Sequence, residues 1–181
     1  GSMSDHTSNI YNPALAIAYA NQYAFTYNPI YPDYADVEPG GDCANFISQC
    51  IHAGGMPMIG YNANDALRNW FCRSDYLWAI EKISKSWRGA YYFYIYWSIH
   101  AKASREFSND ALTLPVLHQE LLAYAAPGDA ISLIHESGTI YHTLLIMDVT
   151  SEDIICAAHT NNTVSTPLTH YNPYRLKIYQ L

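Results

Sequence analysis

No apolar run in this chain reaches 18 residues, so no segment reads as a membrane-spanning helix. Charge is scarce at 14%, and its positive half is scarcer, with 9 Lys and Arg against 16 Asp and Glu. The resulting net charge of -7 leaves no electrostatic footprint for nucleic acid. Cys43, Cys50, Cys72 and Cys156 form no C-x-x-C pair, and the histidines add no ligand spacing, so no metal or cofactor is expected. A core of this size does not need disulfides either. Repeats, linkers and charge runs are also missing, which leaves one domain over residues 11–181. Residues 1–10 read as a tag remnant and a flexible N-terminus, because Gly1-Ser2-Met3 looks like a cloning scar. The missing signal peptide therefore says little about location.

What is present is apolar and aromatic. Half of the 181 residues are hydrophobic, enough for a globular chain that buries roughly 70% of its unfolded surface. There are 17 tyrosines but only 5 phenylalanines. Tyrosine suits a groove for an extended polar polymer, yet it also replaces phenylalanine in ordinary cores, and both readings stand.

The stretch Gly40-Gly41-Asp42-Cys43-Ala44-Asn45-Phe46-Ile47-Ser48-Gln49-Cys50 organises the rest. Its glycines predict a tight turn and Asp42 an N-cap, while Cys43, Phe46, Ile47, Cys50 and Ile51 recur at helical spacing until Gly54-Gly55. Cys43 then opens a helix, where free N–H groups and the dipole favour a thiolate. A thiol so placed is expected to fall below its ordinary pKa and to act as a nucleophile.

Asn12-Pro13 predicts an earlier helix running to about Phe25, broken by Asn28-Pro29 and Tyr31-Pro32. Asp33–Pro39 reads as a loop into the nucleophile turn. Asp65–Arg73 and Tyr76–Lys82 read as short helices, and Val116–Tyr124 as another. Tyr91–Ala103 fits a longer helix, while Tyr91–Trp97 within it also fits a strand by β-propensity. Beyond Pro127-Gly128-Asp129 the pattern changes to strands over Ala130–His135, Ile140–Val149, Ile154–Ala158 and Tyr174–Gln180. The fold class is α+β, a helical first half packed on an antiparallel sheet.

A cysteine nucleophile needs a base, and the base an orienting partner. His142, at the start of an apolar strand, is the expected base, with its ring turned toward the helix packed on the sheet; His135 is a weaker rival. His159 and Asn161 end the neighbouring strand, where either could bond His142 Nδ1 and fix its tautomer. Trp70, Trp78 and Trp97 are expected to touch substrate together with Asp42, and Trp87 is the weakest of the four tryptophans for that role.

The Cys43 motif with Gly54-Gly55 resembles the nucleophile motif of an amidase-domain family of papain-like cysteine hydrolases, related to the NlpC/P60 and CHAP cell-wall enzymes. The likeness includes Tyr11-Asn12-Pro13-Ala14, Asn28-Pro29, Tyr31-Pro32, Ser86-Trp87, Pro127-Gly128-Asp129, Tyr141-His142 and Ala158-His159-Thr160. It implies a papain-like fold, Cys43 and His142 as catalytic pair, and His159 as third member by analogy with NlpC/P60. CHAP enzymes carry a Glu and an Asn two apart there, so Asn161 matches while His159 departs. The implied activity is cleavage of peptidoglycan amide bonds, outside the cytoplasm and without a cofactor. A toxin of the same chemistry, with an inhibitor or immunity protein as partner, and a non-catalytic binding module are the alternatives.

Overall fold

Asparagine and proline start the first helix of the computed structural model, which describes residues 10–37 and 41–181. The expectations for residues 1–9 of the tag remnant and for residues 38–40 of the loop and turn lie outside the described residues. Helix α1 (Pro13–Tyr23) begins with proline at its first position, and Asn12 Oδ1 accepts the Ala14 N–H at 3.0 Å. Helix α2 (Cys43–Ala53) stops at Gly54. Gly55 follows at φ +108°, and a Cβ there would lie 2.6 Å from the Ile10 carbonyl oxygen, so only glycine fits.

The aromatic run after Gly89 is a helix, α4 (Ala90–His100), preceded by the short α3 (Lys85–Arg88). Helical spacing sorts its rings: Phe93, Tyr96 and Trp97 are buried, while Tyr91 and Tyr92 are exposed. The helix expected at Asp65–Arg73 is absent. Asn69 Oδ1 instead accepts the N–H groups of Tyr61 and Asn62 at 3.1 Å each, and Trp70 exchanges two 2.8 Å backbone bonds with Ile59. Such side-chain-to-backbone bonds compete with helix formation. Of Tyr76–Lys82, only Ile80–Lys82 forms a 3₁₀ turn. Helix α5 spans Pro115–Tyr124 and α6 spans Leu168–Tyr171.

Six strands pair antiparallel in the order β1-β6-β2-β3-β4-β5. They are β1 (Ala103–Ser108), β2 (Ala130–Ile134), β3 (Ile140–Val149), β4 (Ile154–Ala158), β5 (Thr163–Pro167) and β6 (Arg175–Gln180). Every residue of β2 is buried, because both faces of the sheet are covered. Ala130, Leu145, Ala157 and Tyr179 face the α2–α4 side and pack with Phe46, Ile47, Trp70 and Trp97. Leu133, Leu144, Ile146, Cys156 and Leu176 face the opposite side with Leu121 of α5 and Leu168 of α6. The fold is α+β. No helix among the described residues is long and apolar enough to cross a membrane.

Candidate active site

Cys43 opens α2 and is 2% exposed. Gly41, at φ +62°, bends the chain into the helix beside the Thr160 hydroxyl. Burial pushes the Cys43 thiol up from its ordinary pKa. The Thr143 backbone and hydroxyl and the Ala44 N–H face the sulfur and oppose that rise, while Asp42 adds to it. Desolvation outweighs the helix N-terminus here, so the expectation of a lowered thiol pKa is corrected. The sulfur rests as a thiol.

Asp42 does not cap α2 with its side chain. Its Oδ1 accepts the Tyr34 N–H at 2.9 Å and the Asn45 Nδ2–H at 2.8 Å, and its Oδ2 pairs with His159 Nδ1. His159 Nε2 is turned to the carbonyl oxygens of Thr26 at 2.8 Å and Tyr23 at 3.1 Å. Both ring nitrogens thus meet acceptors, the pattern of a doubly protonated imidazolium. Burial pulls its pKa down, but the Asp42 carboxylate and the two carbonyls outweigh burial and hold it above the usual range. Phe46 stacks on the ring at 4.3 Å, with Tyr27 at 4.6 Å. This buried pair ties the end of β4 to the turn before Cys43 and to the end of α1.

That geometry corrects the expected role of His159. Its nitrogens are committed to Asp42 and to the Thr26 and Tyr23 carbonyls, so it does not orient His142. His142 itself pairs in register with Leu133, which faces the α5–α6 side. Side chains alternate along a strand, and Thr143 is the neighbour that faces Cys43. The His142 ring lies against Tyr171 of α6 at 5.5 Å, buried, with its pKa lowered to about 4 by desolvation. It therefore does not face the helix packed on the sheet, as the sequence pattern suggested. The regular pairing from Ala130↔Leu145 to Leu133↔His142 sets this parity, and a β-bulge follows only beyond it, between Leu133 and Ile134. Asn161 is exposed in the β4–β5 turn at φ +53° and does not reach His142 either.

Three of the four tryptophans are core residues. Trp70, Trp87 and Trp97 are 0% exposed, with Trp70 ring contacts to the other two at 4.7 and 5.3 Å. Trp87 Nε1 donates to Asn45 Oδ1 at 2.9 Å, and Trp70 Nε1 to Ser48 Oγ at 3.2 Å, which seats the inner face of α2. The expected substrate contacts of Trp70 and Trp97 are thereby corrected. Trp78 is 62% exposed and lines a cleft of about 510 Å³ with Tyr34, Gly41, Arg88, Tyr91 and Tyr141. Arg88 carried a sequence signal, a lone guanidinium directly after Trp87 in an aromatic stretch. Thr143 carried none, because its position depends on strand register. No group of three or more His, Cys, Asp or Glu among the described residues converges as a metal site would require.

Residues 10–179 match the family model described as "Putative amidase domain". The chain belongs to this family. The amidase domain is also 30% identical over 138 residues to the uncharacterized protein YhbB of Bacillus subtilis (strain 168). That alignment takes in 76% of the chain, which spans 37% of the length of YhbB. No solved structure matches the amidase domain. Membership points to a hydrolase acting on amides.

Proposed function

We propose that the amidase domain is a papain-like cysteine hydrolase that cuts amide bonds in bacterial peptidoglycan, with Cys43 as nucleophile. The observation that supports this most directly is the placement of Cys43 at the start of α2, two residues beyond Gly41 in the cleft wall. In the proposed reaction the thiol gives its proton to a base as sulfur bonds to the carbonyl carbon. The Cys43 N–H holds the oxyanion. The C–N bond breaks, the amine leaves with a proton, and water hydrolyses the thioester to a carboxylate. The aromatic lining of the cleft suits a stem peptide and the apolar faces of its sugars.

His142 is the proposed base, and its pairing with Cys43 requires this part of β3 to slip by one residue against β2. A one-residue shift exchanges faces and carries His142 to the level now held by Thr143. Oxidative crosslinking tests that step. In the register described, Thr143→Cys crosslinks to Cys43 and His142→Cys does not; crosslinking of His142→Cys on substrate addition supports the shift. Mass spectrometry of muropeptides tests the function. New termini are expected from wild-type digests of purified sacculi and not from Cys43→Ala digests, and unchanged sacculi would overturn the reading.

A further inference from the structure

Two polar groups of residues that line the cleft have no hydrogen-bond partner among the described residues. Tyr34 is 6% exposed, and its hydroxyl is buried without a hydrogen bond. Arg88 Nε is likewise buried without one. The two side chains are close enough for the guanidinium to oppose the upward push of burial on the Tyr34 phenol. Arg88 is the one charged side chain among the described residues that line this cleft, and it joins no ion pair among them. Apart from Thr139, the rest of the lining is glycine or apolar and aromatic side chains such as Leu77, Trp78, Tyr91 and Tyr141.

Both atoms belong to residues that line one open cleft, and a buried donor left unpaired is costly, which points to a ligand acceptor there. The chemistry of the acceptor follows from the donors. A guanidinium presents Nε–H and an Nη–H side by side, matching the two oxygens of a carboxylate, and a phenol O–H can donate to one of the same oxygens. In an acidic chain, a lone cation walled by aromatic rings is a local attraction for an anion.

We propose that Arg88 and Tyr34 form a carboxylate subsite, so that this cleft takes a substrate bearing a free carboxylate close to the amide that Cys43 attacks. The reading deepens the proposed hydrolase by naming the substrate class. Gly41 lines the same cleft two residues before the nucleophile, which places the carboxylate and the scissile amide on one short segment. The Tyr34 backbone is held by Asp42, so the nucleophile turn and this subsite share one anchor.

Binding is read without turnover, on the Cys43→Ser protein. The Arg88 Nε–H resonance, assigned by its loss in Arg88→Lys, is followed during titration with N-acetylalanine and with N-acetylalaninamide. The acid should shift that resonance saturably, and the amide should bind about tenfold or more weakly. Tyr34→Phe should weaken the acid and leave the amide unchanged. Equal shifts from both compounds, or none from either, would overturn the subsite. With active protein, Arg88→Lys should lower kcat/KM about 10- to 100-fold on a peptide with the free carboxylate and little on its carboxamide. A saturable shift in a protein that leaves sacculi intact would refute the hydrolase and keep the subsite, and the converse result would do the opposite.

Discussion

Replacing His159 by leucine keeps an apolar side chain of comparable bulk between Phe46 and Tyr27 and removes the counter-ion of Asp42. Both side chains of the pair are 2% exposed or less, so water cannot take the place of the lost imidazolium. Breaking a buried pair by removing one partner costs about 3–5 kcal/mol, because the remaining charge stays buried. Two hydrogen bonds remain on Asp42 Oδ1, from Tyr34 and Asn45, which argues for the lower half of that range. In a domain of this size each kcal/mol moves Tm by roughly 2–4 °C, so a fall of about 6–16 °C is expected. The loss should depend on pH. A raised folded-state pKa means that His159 stabilises fully below its unfolded value of about 6.5, and that this stabilisation fades as pH rises through the folded value. The gap between wild type and His159→Leu should therefore be widest near pH 5.5 and narrow toward pH 9. Urea unfolding followed by the fluorescence of Trp70, Trp87 and Trp97 measures it at each pH. Adding Asp42→Asn to His159→Leu removes the orphaned charge and should recover part of the loss. A gap that does not change with pH, or a double variant whose loss equals the sum of the two singles, would refute the ion-pair account.

Alkylation of Cys43 by iodoacetamide should rise steadily from pH 7 to 9, since burial holds the thiol protonated; a rate already at its plateau at pH 6 would indicate a thiolate paired with a base. Trp70→Ala and Trp97→Ala should each cost about 3–5 kcal/mol in denaturant unfolding, while Trp78→Ala should leave stability nearly unchanged and lower kcat/KM. Gly55→Ala should destabilise by more than about 1 kcal/mol, because its φ is positive and the new methyl would meet the Ile10 carbonyl; a neutral melt would show that the turn can relax.

The helix that Cys43 opens was legible because local rules agree there. Apolar spacing, the glycine stop and the start at Asp42-Cys43 all describe one segment, and α2 has those bounds. The aromatic run of α4 was ambiguous, since propensity favoured a strand and only tertiary burial separates Phe93, Tyr96 and Trp97 from Tyr91. Strand β1 was not legible: Ala-Ser-Arg-Glu-Phe-Ser is mostly exposed and owes its form to pairing with β6. The site failed at a finer level. That Cys43 and β3 come together could be inferred from order and pattern, but which of His142 and Thr143 faces the helix depends on a register that one residue of slip would reverse. The affinity of His159 for Asp42 was equally hidden, because a residue read as an N-cap gives no sign that its carboxylate turns to a strand far along the chain.

The place of β6 in the sheet has a consequence for how the protein is made. It lies between β1 and β2, so the middle of the sheet stays open until the last strand of the domain has left the ribosome. Before then, β1 lacks its partner, and β2 offers a bare edge of buried residues to any neighbouring chain. Completion is thus a late, long-range event, slow to close and exposed to misassembly while it waits. Until β6 is in place, the domain therefore keeps an unpaired gap at the centre of its sheet.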